Sequence, residues 1–336
     1  MLQNVDTFHF VADKGDQRLR LDQVLVRRVT VVSRLSRNIA QQWIESGAVQ
    51  VDGTVVRRPA THIRIGAHVT VALPGSAPRR VRPAAEDTPL DIVFEDEWLL
   101  VLNKPAGVVV HPSYKQTSGT LLNAILGRNR NMATTQHGPQ PGAEPGVQPG
   151  IVTRLDKDTS GLVLIALSPA IHATLQREVA AGHVEKRYLA VVGAIPSPPS
   201  GRIRLPLGRD PQDRRRMIVT SDGAASDTRY QLLSELDVGG RHGALVSCTL
   251  ITGRTHQIRV HLASQGWPIV GDAVYGIPHA QIARQALHAW QLALTHPITG
   301  QTLALEAPVP ADITALLSSH GTMPEPRTAG DTEADG

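Results

Sequence analysis

The 336 residues contain a single cysteine, Cys248. That excludes an internal disulfide framework and a zinc site built from several cysteines. Long apolar runs are also missing, since the longest, such as GLVLIAL and YLAVVGAI, fall far short of the ~20 residues a helix needs to cross a bilayer. The first twenty residues, MLQNVDTFHFVADKGDQRLR, carry acids and lack a continuous apolar core, so they do not read as a secretory leader. Neither GxxxxGKS/T nor GxGxxG occurs, which removes the common phosphate-cradling loops, and the absence of GxSxG argues against a serine hydrolase. No repeat period suggests a solenoid. These absences lead to the expectation of a cytoplasmic protein without a membrane segment. With 41% hydrophobic residues the chain can bury a sizeable core, and its length suggests two domains.

Charge is unevenly distributed. Residues 1–83 hold 13 Lys and Arg against 6 Asp and Glu, a net of +7, whereas residues 84–321 balance 20 against 20. The last fifteen residues have one Arg and four acids. A basic front segment suits a solvated surface or a polyanion-binding module, in which each Lys or Arg near a phosphate releases counterions.

Pattern within the front segment narrows that choice. In RLRLDQVLVRRV, residues 18–29, Leu21, Val24, Leu25 and Arg28 fall at helical spacing, with Arg18, Arg20, Arg27 and Arg28 available to the polar sides. SRLSRNIAQQWIESG offers a Ser start and a run of helix formers to Glu45, with Arg34 and Arg37 near its beginning and Gly47 as the stop. Val49 and Val51 alternate before an Asp52-Gly53 turn, and HVTVAL reads as a further strand. This order of two basic helices and a strand-and-turn unit, with RLDQVL and VQVDGTVVRRP in it, resembles the S4 RNA-binding domain over residues 18–73. The resemblance implies a small α/β fold that grips structured RNA through shape and phosphates. GSAPRRVRPAAEDTP then reads as a linker over residues 74–89, and the chain from Ser318 to residue 336 as a disordered tail. HGPQPGAEPGVQPG, residues 137–150, is a Pro/Gly loop.

From Leu90 to residue 317 short apolar runs alternate with turns: LDIVFEDEWLLVLNKP, GIVTRLD, GLVLIAL, KRYLAVVGAI, ALVSCTLITG, LALTHP and TLALEAP. The clear helix is SPAIHATLQREVAAG, with Ser168 as N-cap, Pro169 in the first turn and Gly182 past the end. Many strands with few helices imply an α+β domain with a mixed, largely antiparallel sheet.

Two constellations in this region carry chemistry. In GIVTRLDKDTSGLVLIAL the apolar runs read as strands, which leaves RLDKDTSG as a loop and puts Asp156 at a strand end between Arg154 and Lys157. Asp158 suits a turn, with Thr159, Ser160 and Gly161 supplying turn chemistry. The bases balance two acids, or they face a phosphate backbone while an arginine keeps Asp156 ionised. The second constellation, TGRTHQIRVHL, packs Arg254, His256, Gln257, Arg259 and His261 into eight residues. If helical, it sets Gln257 and His261 on one face and Thr255 and Arg259 on another. Its two histidines are five apart, without acids or cysteines beside them, so no metal site is expected.

In order and spacing, VFEDEWLLVLNKPAGVVVHPS, GIVTRLDKDTSGLVLIA, KRYLAVVGA and TGRTHQIRVHLASQGWPIVGD closely resemble the RluA/RluD family of pseudouridine synthases. The resemblance covers residues 18 to about 317. It implies isomerisation of uridine within RNA, most of all in 23S rRNA or a large-subunit precursor, without metal or cofactor; a monomer is expected. Asp156 matches the family's catalytic aspartate, Arg259 the arginine that pairs with it, and Tyr188 in KRYLA the tyrosine that stacks on the target base and can assist proton removal at C5. Arg154 matches a residue that fills the space of the flipped base or holds nearby phosphates. Arg254, His256 and Gln257, and the basic run Arg214, Arg215 and Arg216 in IRLPLGRDPQDRRRMIV, are expected RNA contacts, as are Arg18, Arg34 and Arg37 at the front. The family often has His where this chain has Thr153, a departure expected to touch packing or RNA contact more than chemistry. Two other functions compete: an S4-containing assembly factor without catalysis, and a glycosyl hydrolase using Asp156 and Asp158. The first leaves Asp156, Tyr188 and Arg259 unexplained. In the second, two acids only two positions apart do not flank a sugar from opposite sides.

Overall fold

The computed structural model describes residues 7–17, 19–29, 35, 37–72, 83–112, 116–136, 149–213 and 215–317, with the backbone alone over 129–136. The chain divides into two compact units, one within residues 1–82 and the other within 83–336.

The first unit comprises β1 (Thr7–Val11), α1 (Leu21–Val29), α2 (Arg37–Ser46), β2 (Val49–Val51), β3 (Thr54–Val55) and β4 (His68–Ala72), with a four-stranded antiparallel sheet in the order β1-β4-β2-β3. Leu21, Val24, Leu25 and Val29 of α1 form a stripe at helical spacing that packs with Ala40, Trp43 and Ile44 of α2 against Val49, Val69 and Val71. Gly47 stops α2 with φ 85°, and Asp52 and Gly53, at φ 50° and 77°, make the turn between β2 and β3. Both central residues with positive φ define the turn that suits the twist of paired strands.

Two features differ from expectation. Strand β1 lies upstream of residue 18 and pairs with β4 from Thr7↔Ala72 to Val11↔His68, a partnership across sixty residues that no local pattern announces. The helices' basic residues are also largely engaged by two fully buried acids. Arg27 and Arg28 meet Asp16 at 3.4 and 2.6 Å, and Arg20 and Arg37 meet Asp22 at 3.0 and 3.1 Å. Arg18 and Arg34 lie outside the described residues.

The expected linker also divides. Residues 73–82 are outside the described set, but the segment after them is docked on the second unit. Ala84 O accepts from Asn123 Nδ2 at 2.7 Å, Glu86 N donates to Asn123 O at 2.9 Å, and the Glu86 carboxylate accepts from Gly119 N at 2.9 Å. Residues 83–89 form neither helix nor strand, yet their backbone is held by these bonds. The tail from residue 318 lies outside the described residues.

The second unit runs β5 (Ile92–Glu95), β6 (Leu99–Lys104), α3 (Leu121–Gln136), β7 (Gly150–Ile151), β8 (Ser160–Ala166), α4 (Pro169–Ala181), β9 (Glu185–Val192), β10 (Ser200–Ile203), β11 (Leu207–Arg209), β12 (Met217–Val219), β13 (Thr228–Asp237), β14 (His242–Leu250), α5 (Gln257–Ser264), β15 (Leu287–Thr295), β16 (Thr302–Glu306) and α6 (Ala311–Leu317). A ten-stranded sheet has the order β10-β13-β14-β9-β15-β8-β6-β5, with β16 beside β15 and β7 beside β8. Among the described strands β8 and β15 run parallel and the other pairs antiparallel, so the sheet is mixed and largely antiparallel. No helix among the described residues is long and apolar enough to cross a membrane.

Strand β8 is buried along its whole length because both faces are covered. Leu162 and Leu164 face Ile171 and Leu175 of α4, while Val163 and Ile165 face Leu121 and Ile125 of α3. Helix α4 begins where Ser168 Oγ accepts from Ile171 N at 3.3 Å and ends at Gly182 with φ 82°. Helix α3 escapes sequence reading because most of its apolar residues crowd its first six positions and leave no sustained period. Ser160 and Gly161 open β8 instead of completing the turn, and Ser160 Oγ bonds His288 Nδ1 of β15 at 3.0 Å.

At Gly161 φ is 110°, and a Cβ would stand 2.2 Å from Ala289 O. Gly161→Ala is therefore expected to cost about 1–3 kcal/mol as an overpacked site, on top of its unfavourable backbone. A lowered Tm by circular dichroism would register this, and an unchanged melt would contradict the close packing of β8 on β15.

Candidate active site

The loop between β7 and β8 carries Asp156, and its shape is held without help from that side chain. Thr159 N donates to Asp156 O at 3.2 Å, closing a turn. Lys157 O accepts from Lys104 Nζ and from Gly107 N, both at 2.9 Å; Asp158 O accepts from Arg284 Nη1 at 3.1 Å; and Thr159 Oγ1 accepts from Gln285 Nε2 at 3.0 Å. Lys104 is fully buried, and its ammonium also serves Pro105 O and Val108 O at 2.7 and 2.9 Å. Burial, opposed by the Asp158 charge, pulls its pKa down to about 8. Thr153, where the resembled family often has His, accepts from Leu164 N at 2.9 Å and so ties the loop's approach to β8.

Asp156 Oδ2 meets Arg259 Nη1 at 2.9 Å. Arg259 projects from α5, which follows β14, and the remaining edge of its guanidinium is taken by Asp272: Nε to Oδ2 at 2.6 Å and Nη2 to Oδ1 at 2.9 Å. One buried guanidinium thus joins a fully buried acid to one that is a quarter exposed. Such bidentate, charge-assisted geometry fixes orientation as well as energy. Burial pushes the Asp272 carboxyl up, but the Arg259 hydrogen bonds and charge, with backbone N–H groups of Val274 and Tyr275, hold it below its ordinary 3.8. Burial likewise opposes the charge on Arg259, and the two carboxylates outweigh it and raise the pKa.

Tyr275 completes the cluster. Its ring lies 5.1 Å from the Arg259 guanidinium carbon, and its hydroxyl accepts from Met217 N at 2.7 Å and bonds His256 Nδ1 at 2.9 Å. His256 Nε2 stands 3.8 Å from Asp156 Oδ2. Tyr188 is buried in β9, between Cys248 of β14 and Ala289 of β15, and its phenol is pushed well up by burial and then by the Asp156 charge.

The structure therefore brings Asp156, Arg259 and His256 together, with Tyr188 within electrostatic reach of Asp156. Arg154 is exposed, and Arg254 is exposed with Nε bonded to Ala225 O at 3.2 Å. Arg216 stacks toward Tyr275 at 5.7 Å, Arg215 is exposed and paired with Asp213 at 2.9 Å, and Arg214 is outside the described residues. Gln257 requires correction, because it is buried at 2% exposure and cannot face RNA. Its side chain accepts from Arg254 N and Thr252 Oγ1 and donates to Asp227 O and Thr228 Oγ1, tying α5 to β13. His261 shares that face, as the spacing predicts, and bonds Thr228 Oγ1 at 2.9 Å. Sequence reasoning misses Asp272 and Tyr275. Their only local signal is VGDAVYG, where Gly271 at φ 76° and an Asp accepting from two following N–H groups make a tight turn.

Residues 98–264 match the family model described as RNA pseudouridylate synthase, and residues 19–69 match that of the S4 domain. A ribosomal large subunit pseudouridine synthase D of Nitrosomonas europaea is 38% identical, covering 96% of this chain and 90% of that relative. One of the same description from Zymomonas mobilis is 40% identical over 88% and 92%. The solved structure of human RNA Pseudouridylate Synthase Domain Containing 1 is 26% identical, with a TM-score of 0.52, and covers 67% of this chain and 85% of that one. The chain belongs to the RNA pseudouridine synthase family, with an S4 domain at its front. Its reaction class is isomerisation of uridine to pseudouridine, and RNA is its substrate.

Asp272→Asn leaves Arg259 one counter-charge short and is expected to cost about 3–5 kcal/mol, as removal of one partner of a buried pair does. Because the folded Asp272 pKa lies below 3.8, its contribution is whole above about pH 4 and fades as pH falls through the folded value. Denaturant midpoints from pH 7 to pH 3 should therefore show wild type and variant converging at the acid end. A constant gap across that range would remove Asp272 as the source.

Proposed function

We propose that this protein forms pseudouridine in 23S rRNA or a large-subunit precursor, working as a monomer in the cytoplasm, with Asp156 as the catalytic aspartate, Arg259 as its partner and Tyr188 against the target base. The observation that carries the reading is the Asp156–Arg259 pair at 2.9 Å, backed by the bidentate grip of Asp272. The relatives described as ribosomal large subunit enzymes support the choice of RNA.

The C1′–N1 bond breaks, the uracil turns while still bound, and C1′ is joined to C5; the proton lost from C5 is balanced by one gained at N1. No atoms enter or leave overall, so the reaction requires no oxidant, reductant or group donor. Asp156 attacks C1′ or removes the ribose 2′ proton, and both routes need an ionised carboxylate. The target uridine must first leave its stack, at a cost of a few kcal/mol. Arg154, exposed on the same loop, is the residue we assign to the space it vacates. The Tyr188 phenol stays protonated at neutral pH, which suits stacking better than proton abstraction as phenolate.

Asp156→Asn is expected to abolish tritium release from C5-labelled RNA while leaving RNA affinity within a few-fold. Substantial turnover by a folded Asp156→Asn protein would sink the assignment. Arg259→Met should also be severely impaired, with a thermal melt separating impaired chemistry from impaired folding. Tyr188→Phe keeps the ring and should stay within about tenfold of wild type, an allowance typical of one missing hydrogen bond.

Removal of residues 1–82 tests the S4 unit. It should raise the RNA concentration for half-maximal rate and flatten the salt dependence by about 0.7–0.9 for each phosphate that the front unit neutralises, while the saturating rate falls much less. An unchanged salt slope would mean that the front unit does not anchor the RNA.

A further inference from the structure

His256 has an unusual backbone. Its φ of 54° is one of two positive values outside glycine among the described residues, the other being Asp52 in a hairpin turn. It also occupies the N-cap position of α5 without a side-chain capping bond. Asn or Gly would fit that backbone more easily, and Ser, Thr or Asp would cap the helix, so the imidazole serves something else.

Its partners indicate what. The Tyr275 oxygen accepts the Met217 N–H at 2.7 Å and lies 2.9 Å from His256 Nδ1, where its own proton can be given. Burial raises the Tyr275 phenol's pKa, so it remains a donor, while burial pulls the imidazole's pKa below 6.5 against the opposing pull of Asp156. When Tyr275 donates to Nδ1 of a neutral ring, the ring proton resides on Nε2. That nitrogen faces Asp156 Oδ2 at 3.8 Å, the same oxygen that Arg259 holds at 2.9 Å.

We propose that His256 is a positioning residue for Asp156: oriented by Tyr275, its Nε2–H joins Arg259 in fixing Oδ2, which leaves Oδ1 to meet the ribose. The inference rests on Asp156 being the reacting acid. At 3.8 Å the contact is electrostatic, and a closure of about 1 Å when RNA enters makes it a hydrogen bond, as catalytic contacts commonly tighten on substrate binding. His256 then acts on the carboxylate and not on a phosphate, in contrast to the RNA contact expected from the sequence.

The test is single-turnover kinetics on the full chain against RNA concentration. The proteins are wild type, His256→Asn, His256→Gln, Tyr275→Phe, the double variant Tyr275→Phe/His256→Asn, and Asp156→Asn, each with a thermal melt. Asn keeps the left-handed backbone but lacks the reach, and should lower the saturating rate about a hundredfold, the scale of a misplaced reacting group, with little change in half-saturating RNA. Gln restores a donor at the right length and should recover most of that loss. Tyr275→Phe keeps the ring over Arg259 and should slow the reaction about tenfold, and the double variant should be no slower than His256→Asn, because Tyr275 acts through the histidine. The ¹⁵N shifts of His256 should report the Nε2–H tautomer in wild type.

A wild-type saturating rate for His256→Asn, or a change confined to half-saturating RNA, would overturn the proposal in favour of an RNA contact. Multiplying effects in the double variant, or an Nδ1–H tautomer, would overturn the relay through Tyr275. Turnover by Asp156→Asn would instead remove the underlying reading of the site, whatever His256 does.

Discussion

A single guanidinium shared by two acids sets the geometry of this site. Arg259 reaches Asp156 across 103 positions of sequence and Asp272 across 13, so one side chain joins the β7–β8 loop, helix α5 and the turn after it. Burying this triad is costly, and a hydrophobic trio of similar volume would stabilise the fold at least as well. The charged version instead fixes direction. Two parallel bonds to Asp272 hold the guanidinium plane, and the third points along one line at Asp156. The cluster keeps a net charge of −1, placed on the acid that is partly open to solvent.

That economy depends on the loop being fixed by other means. The backbone oxygens of residues 157 and 158 and the hydroxyl of Thr159 are bound by Lys104, Gly107, Arg284 and Gln285. Arg284 is itself anchored by Asp312 of α6 at 2.6 Å, and Gly161 lets β8 run against β15 directly behind the loop. The Asp156 carboxylate is therefore not needed for the turn that carries it. A side chain released from structural duty can be used for chemistry at little cost to the fold.

Features that a few neighbouring residues dictate were legible in the sequence. Ser168 and Gly182 bound α4, Asp52-Gly53 turns β2 into β3, and the apolar runs on either side of RLDKD become β7 and β8. The helical face shared by Gln257 and His261 was legible too, but its direction was not. Polar side chains in a basic motif read as solvent-facing, whereas these satisfy Thr228 inside the domain. Helix α3 lacks a sustained apolar period, and β1 pairs with β4 across about sixty positions of sequence. Asp272 and Tyr275 act only through contacts with Arg259, His256 and Met217, and a turn motif such as GDAVYG does not say what its side chains will meet.

Charge in the front unit follows the same logic. A net of +7 over residues 1–83 suggests a broad basic surface, yet Asp16 and Asp22 are fully buried and engage Arg20, Arg27, Arg28 and Arg37. Counting charges thus overstates the number of free cations. It does not follow that the paired arginines are withheld from RNA. Arg37 is half exposed and is held to Asp22 through Nε, a bond that uses one of its five donors. A guanidinium has five donors, and a buried acid that takes one or two of them lowers the entropy cost when a phosphate takes the others. Each buried aspartate removes a unit of long-range attraction and leaves an ordered fork in its place. That arrangement favours recognition of phosphates in a fixed geometry, as in folded RNA, over loose attraction to any polyanion.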